Sequence, residues 1–287
     1  MNCSREHYAS KQKIIAMFNS LSKSIESSKS FDVFCSGSTA VVVHITKDKI
    51  ICANCGDSRS ILINGLGNIV KLSRDHKPEL SDEKKRIIAA GGRVDRIYGM
   101  GPYRVWFKDG DYPGLAMSRS IGDTLAHKVG VSNVPEIFEY NINNVKPVAI
   151  IVASDGVWEF MTNDQVKNIL NKYRYNQDAY SCSKEIVEKA RQIWKGTSFA
   201  IDDITCVIAF FDKNDGFICG EYVSVSDGNK DFDIPYNAYY AYCMGYSSNM
   251  ESRIKINEKE IKVSEEALTF KNYIDGLENS IEIFNYD

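Results

Sequence analysis

No stretch of this 287-residue sequence approaches the roughly 18 consecutive apolar residues that a membrane-crossing helix needs. The first seven residues, Met1-Asn2-Cys3-Ser4-Arg5-Glu6-His7, are polar. Excess positive charge is missing too: 35 Lys and Arg against 38 Asp and Glu leave a net charge of -3, with an isoelectric point near 5.9. That balance lacks the one-sided basicity of a phosphate-backbone binder and sets nucleic acid aside. The eight cysteines, at 3, 35, 52, 55, 182, 206, 219 and 243, have neither the density nor the regular spacing of a secreted disulfide framework, so reduced thiols are expected. Only four histidines occur: His7, His44, His76 and His127. From these absences a soluble intracellular protein, cytoplasmic or nuclear, is expected; a monomer is expected as well. What is present, 44% hydrophobic and 25% charged residues, suffices for a buried core and excludes disorder throughout.

Charge and composition divide the chain near Asp212. Residues 1–212 carry 28 basic and 24 acidic side chains, whereas 213–287 carry 7 and 14 together with half of the tyrosines. The reading is a domain over 1–212 and an acidic C-terminal extension over 213–287. Ile254, Ile256, Ile261 and Val263 could there make a strand or a helix, and the Tyr-rich 236–246 segment a binding loop or plain disorder.

Within the domain, Ile14, Ile15, Met17, Phe18, Leu21 and Ile25 recur at helical spacing, which predicts a helix over 8–28 with one apolar face. The β-branched runs 39–45 and 49–55, then 59–63 and a turn at 64–68, predict an antiparallel meander. Ser81 opens a helix that Gly91-Gly92 ends. A buried strand over 148–153 runs into Ser154-Asp155-Gly156, and Thr162-x-x-Gln165 is a capping box ahead of Val166, Ile169 and Leu170. A second helix covers 184–194, and a strand over 204–211 closes the domain. Strands that pair with neighbours, interleaved with single-stripe helices, point to layered sheets covered by helices.

Two aspartates stand where strands meet turns: Asp155 after 148–153 and Asp202 before 204–211. Carboxylates on rigid strand ends suit a hard cation such as Mg²⁺ or Mn²⁺. Taken singly, each reads first as a turn residue bonding its own backbone. Cys52-x-x-Cys55 has zinc-like spacing but no second Cys/His pair, and reads as core. Position 153 is Ala153, which breaks the Asp-x-Asp pair of aspartyl-phosphate chemistry. His76, beside Pro78 in a turn, reads as structural before general acid.

Seven segments in order carry a resemblance: Ser36-Gly37-Ser38-Thr39-Ala40, "ANCGDSRS" at 53–60, "DHKP" at 75–78, "AGGRV" at 90–94, "LAMSRSIGD" at 115–123, "ASDGVWE" at 153–159 and "DDITCVI" at 202–208. The sequence resembles the metal-dependent protein serine/threonine phosphatases of type 2C, entered part-way through. The resemblance implies an α+β fold, a β-sandwich of antiparallel sheets flanked by helices in four layers (α-β-β-α), missing its first strands. It also implies two or three Mg²⁺ or Mn²⁺ ions and a metal-bridging hydroxide that attacks phosphorus, the ions neutralising repulsion between the anionic nucleophile and the phosphomonoester. Asp155 and Asp202 match direct metal ligands. Asp203 stands where the family usually has asparagine, so Asp202 is preferred. Asp75 and Glu159 match acidic positions of a weaker third metal, although Glu159 equally reads as a solvated helix-start carboxylate. The stretch 94–113 resembles the variable flap beside the phosphatase cleft and equally reads as a packed surface loop.

The family's early Glu-Asp pair, its Asp-Gly-His-Gly segment and its phosphate-binding arginine are not found in this sequence, so no catalytic residue is identifiable beyond the metal ligands. Two functions remain in view. One is hydrolysis of phosphoserine and phosphothreonine in proteins, with the upstream portion lost from the sequence. The other is a catalytically incomplete phosphatase-like module that binds a phosphoprotein or partner. Poor solubility is expected of the chain by itself, because strands left without partners expose an edge.

Overall fold

The computed structural model describes residues 11–28, 32–46, 48–198 and 201–211 with their side chains, and the backbone of 218–225. In chain order its elements are α1 (Lys11–Ser27), β1 (Gly37–Ser38), β2 (Ala40–Ile45), β3 (Lys49–Cys55), β4 (Arg59–Asn64), β5 (Ile69–Lys71), α2 (Ser81–Ala89), β6 (Gly92–Ile97), β7 (Met100–Phe107), β8 (Pro113–Leu115), β9 (Ile121–Gly122), α3 (Thr124–His127), β10 (Glu136–Asn141), α4 (Ile142–Val145), β11 (Pro147–Ala153), α5 (Asp155–Trp158), α6 (Asn163–Tyr173), α7 (Ala179–Thr197), β12 (Ile204–Phe211) and β13 (Ile218–Val225).

Two antiparallel sheets carry the fold, a five-stranded one in the order β13-β12-β11-β4-β5 and a three-stranded one in the order β10-β3-β2. Their alternating side chains build three cores. Ile61 and Ile63 of β4, Ile151 and Ala153 of β11, and Ile204, Cys206, Ile208 and Phe210 of β12 point one way and pack on Val157, Val166, Ile169, Leu170, Cys182, Ile186 and Val187 of α5, α6 and α7. Leu62, Ile150, Ala209 and Phe211 point the other way and meet Ile50 and Cys52 of β3. The far face of β3, with Ile51, Ala53 and Cys55, receives Ile14 and Phe18 of α1. This is the expected helix–sheet–sheet–helix layering, produced by the period-2 alternation of each strand. Because β3, β4 and β11 are covered on both faces, they read in sequence as unbroken apolar runs. Each Ile or Leu so buried is worth about 1.5–3 kcal/mol.

Three expectations are adjusted. The meander over 39–63 is not one sheet, because β2 pairs with β3 whereas β4 joins the other sheet beside β11. The chain changes sheets at Gly56, whose φ of +120° and contact with Thr39 leave no room for a side chain. β12 does not close the sheet, since β13, beyond Asp212, pairs with all eight of its residues from Ile204↔Val225 to Phe211↔Ile218. The second helix is also longer than 184–194, because Asp178 caps its start by accepting the Ser181 N–H at 2.9 Å. The readings of 236–246 and of Ile254 to Val263 lie outside the described residues.

The stretch expected as a flap or packed loop is a separate three-stranded sheet, β6-β7-β8. It is seated on α2 and α3 through Val105, Ile87, Ala126 and Val129, with the turn residue Tyr98 exposed. The two cysteines of the 52–55 motif face different layers, Cys52 between the sheets and Cys55 toward α1, so they cannot share an ion. Burial pushes both thiols up to about 12, and does the same to Cys182. Among the described residues no helix is long and apolar enough to cross a membrane.

Candidate functional site

β11 and β12 run antiparallel with Ala153 opposite Cys206. Asp155 opens α5 two residues past β11, and Asp202 lies two residues ahead of β12, so the register places both at one end of the central sheet. Ser154 joins the two segments three times. Its N–H donates to the Thr205 carbonyl, its hydroxyl accepts from the Thr205 N–H, and the same hydroxyl donates to the Asp203 carbonyl, each at 3.0 Å. Gly156 allows this approach, because a methyl there would run into the Asp203 carbonyl oxygen. From the helix layer, the Trp194 indole donates to the Gly156 carbonyl at 2.7 Å and that of Trp158 to the Ala153 carbonyl at 2.9 Å.

Charge at this end of the sheet is unbalanced. Burial, then the carboxylates of Asp57 and Asp202, push the Asp155 carboxyl up to about 6; Glu159 adds to the rise and Lys77 opposes it. Lys77 lies 2.5 Å from the buried carboxylate of Asp57. Burial alone would lower its ammonium, but Asp57, with Asp155 and Glu159 also in range, outweighs that and raises it. The charges of Asp57, Asp202 and Glu159 thus all act on Asp155, although no three His, Cys, Asp or Glu among the described residues are grouped to hold a metal. One oxygen of Asp202 accepts from the next residue's N–H at 2.8 Å, the local turn bond a lone aspartate is expected to make. Glu159 is exposed, one helical turn from Asp155, and its N–H donates to the Asp155 carbonyl at 2.8 Å.

Asp75 is held by an arginine. Arg59 donates to both of its oxygens, at 2.8 and 2.6 Å, while also bonding Asn163 and covering the Trp158 ring. His76 is held on the backbone of Gly56. Fully buried, its Nδ1 accepts the Gly56 N–H at 3.1 Å and its own N–H donates to the Gly56 carbonyl at 3.0 Å. The 75–78 segment therefore lies zipped along 56–59: Asp75 on Arg59, His76 on Gly56, Lys77 on Asp57.

Sequence reasoning missed Asp57 and Lys77. The signal was available, since Asp57 follows a glycine at a strand end between two apolar runs, the placement that singled out Asp155. Ser154 and Trp194 carried no such signal, because their roles arise from partners 38 to 51 residues away.

The sequence pattern of the family described as Protein phosphatase 2C matches residues 2–196. "Probable protein phosphatase 2C 34" of Arabidopsis thaliana is 36% identical over 194 residues, 65% of this chain and 53% of its own length. "Probable protein phosphatase 2C 73" of the same plant is 34% identical over 207 residues, 70% and 54%. The chain thus spans about half the length of the curated relatives it matches. A solved serine-threonine phosphatase 2C from Toxoplasma gondii superposes with a TM-score of 0.55 over 70% of this chain and 64% of that one, at 24% identity, a likeness of fold.

Proposed function

The chain belongs to the protein phosphatase 2C family, and from that premise we propose that it hydrolyses phosphoserine and phosphothreonine in protein substrates, with Mg²⁺ or Mn²⁺ held by Asp155 and Asp202. The observation that carries this reading is the excess of negative charge around Asp155, where burial and the carboxylates of Asp57, Asp202 and Glu159 outweigh the ammonium of Lys77. Oxygen-only donors with unmatched charge fit a hard divalent cation. They fit as a partial donor set, since no group of three or more His, Cys, Asp or Glu among the described residues is arranged to hold a metal.

Asp155 and Asp202 would hold the cation, with Glu159 at the margin and Asp75 reaching it only if Arg59 shares its grip. Bound there, the cation would supply positive charge toward a phosphomonoester dianion and lower the pKa of water. The chain's own residues provide the frame. Ser154 and Gly156 keep the two carboxylate segments together, Trp194 fixes the turn after Asp155, and Lys77 with Asp57 limits how much negative charge the site shows before loading.

A second reading, a phosphatase-like module that binds a phosphoprotein without hydrolysing it, draws on the lack of a three-residue metal cluster among the described residues. Mn²⁺-dependent hydrolysis of an aryl phosphate and of a phosphothreonine peptide separates the two. Activity that falls at least 100-fold in Asp155→Asn is expected of the enzyme, given the 10²-fold and larger losses seen when charge-stabilising groups are removed. Phosphopeptide binding without turnover would replace it with the binding module.

A further inference from the structure

Resting on that reading, we propose that Ser154 is the positioning residue that sets the separation of the Asp155 and Asp202 carboxylates, and with it the affinity of the pair for a divalent cation. The β11–β12 rung at Ala153↔Cys206 is the last register pair of that ladder, and both aspartates lie beyond it. Two like charges there repel, so something neutral has to hold their backbones together. Ser154 is one covalent bond from Asp155. Its hydroxyl donates to the carbonyl of Asp203, the residue whose N–H binds the Asp202 carboxylate. Asp203 thus connects the two sides through the two peptide units that flank its Cα, the first donating its N–H to Asp202 and the second accepting from Ser154 at its carbonyl. The hydroxyl also accepts the Thr205 N–H, so its donor and an acceptor site are both used and its rotor is fixed. The backbone of Gly156 comes so near the Asp203 carbonyl that a side chain at 156 would collide with its oxygen. Trp194 holds the Asp155 side through the Gly156 carbonyl, whereas Ser154 reaches both sides.

Groups that orient ligands without touching the ion commonly change metal affinity 10–100-fold. The test is calorimetric titration of the full chain with Mn²⁺. Ser154→Ala is expected to weaken binding about tenfold. Ser154→Thr keeps the oxygen, suits the extended backbone at φ -72° and ψ 168°, and should bind within about twofold of wild type. Ser154→Cys keeps the volume but offers a weak sulfur donor, and should lose affinity in the same direction even if Ser154→Ala does not fold. Faster hydrogen exchange at the Thr205 amide should accompany both losses. Ser183→Ala is the structural control: it removes a buried hydroxyl that donates to the Tyr180 carbonyl at 3.0 Å, and should leave Mn²⁺ affinity unchanged. Wild-type affinity in Ser154→Ala and Ser154→Cys, or an equal loss in Ser183→Ala, overturns the inference. If Asp155→Asn and Asp202→Asn abolish binding while the Ser154 variants bind normally, the cation site stands and only the role of Ser154 falls. If the aspartate variants bind like wild type, or wild type takes up no Mn²⁺, the site reading itself fails.

Discussion

Glu83, on α2, lies fully buried beneath Arg86, Arg119 and Ser118, while Asp155, two residues past β11, lies in the field of Asp57, Asp202 and Glu159. Burial raises the pKa of both carboxyls. For Glu83, hydrogen bonds from the two guanidinium groups and the Ser118 hydroxyl outweigh burial and hold it well below the usual carboxylate range. For Asp155 the neighbouring carboxylates act with burial, and Lys77 acts against it without cancelling it. The difference separates a carboxylate whose compensating charge is built into the chain from one that its neighbours leave under-compensated.

The largest expected effect is at Glu83. Glu83→Ala leaves Arg86 and Arg119 without their shared partner and should destabilise the fold by about 3–5 kcal/mol in urea denaturation, as removal of one member of a buried ion pair does. A loss under about 1 kcal/mol would erase the contrast. Next comes Asp155→Asn in buffer free of divalent cations. Because the folded pKa, about 6, lies above the ordinary 3.8, the charged form costs stability fully above pH 6, and the penalty disappears as pH falls from 6 toward 4. The variant should therefore be more stable than wild type by about 3 kcal/mol at pH 8 and equal to it near pH 4.

His76 works in the opposite direction over nearly the same interval. Burial, then Arg119, lower its pKa from 6.5 to about 4, so the unfolded chain takes up that proton first and stability is lost as pH falls from 6.5 to 4. In wild type the two slopes offset each other. Removing the Asp155 charge should expose the loss from His76, giving a stability profile that declines more steeply between pH 6 and 4 than wild type; parallel profiles would refute the assignment. The smallest effect is at Thr162, whose hydroxyl accepts the Gln165 N–H while the Gln165 side chain accepts the Thr162 N–H. Thr162→Ala should cost about 1 kcal/mol and leave the response to Mn²⁺ untouched.

Local signals in the sequence carried most of the layering. Strand runs over 49–55 and 204–211, the capping box at Thr162 and the strand-end placement of Asp155 and Asp202 all depend on residues adjacent in the chain. What was not legible depends on distant partners. The move of β4 to a second sheet turns on Gly56 and Thr39, 17 residues apart, and β13 was hidden because its pairing lies beyond a change in composition. The Arg59 fork on Asp75 and the Lys77 contact with Asp57 are likewise invisible to spacing, since two short loops have to be laid side by side before either ion pair exists.

The placement of the thiols has a practical consequence. Cys35 is exposed, whereas Cys52, Cys55, Cys182 and Cys206 are sealed among the layers, where burial keeps them protonated and sluggish toward electrophiles. A pulse of alkylating reagent should mark Cys35 at once and reach those four only when a layer lifts away, so the label found over time on the peptides that carry them counts breathing events in each core, with Cys35 as an internal clock.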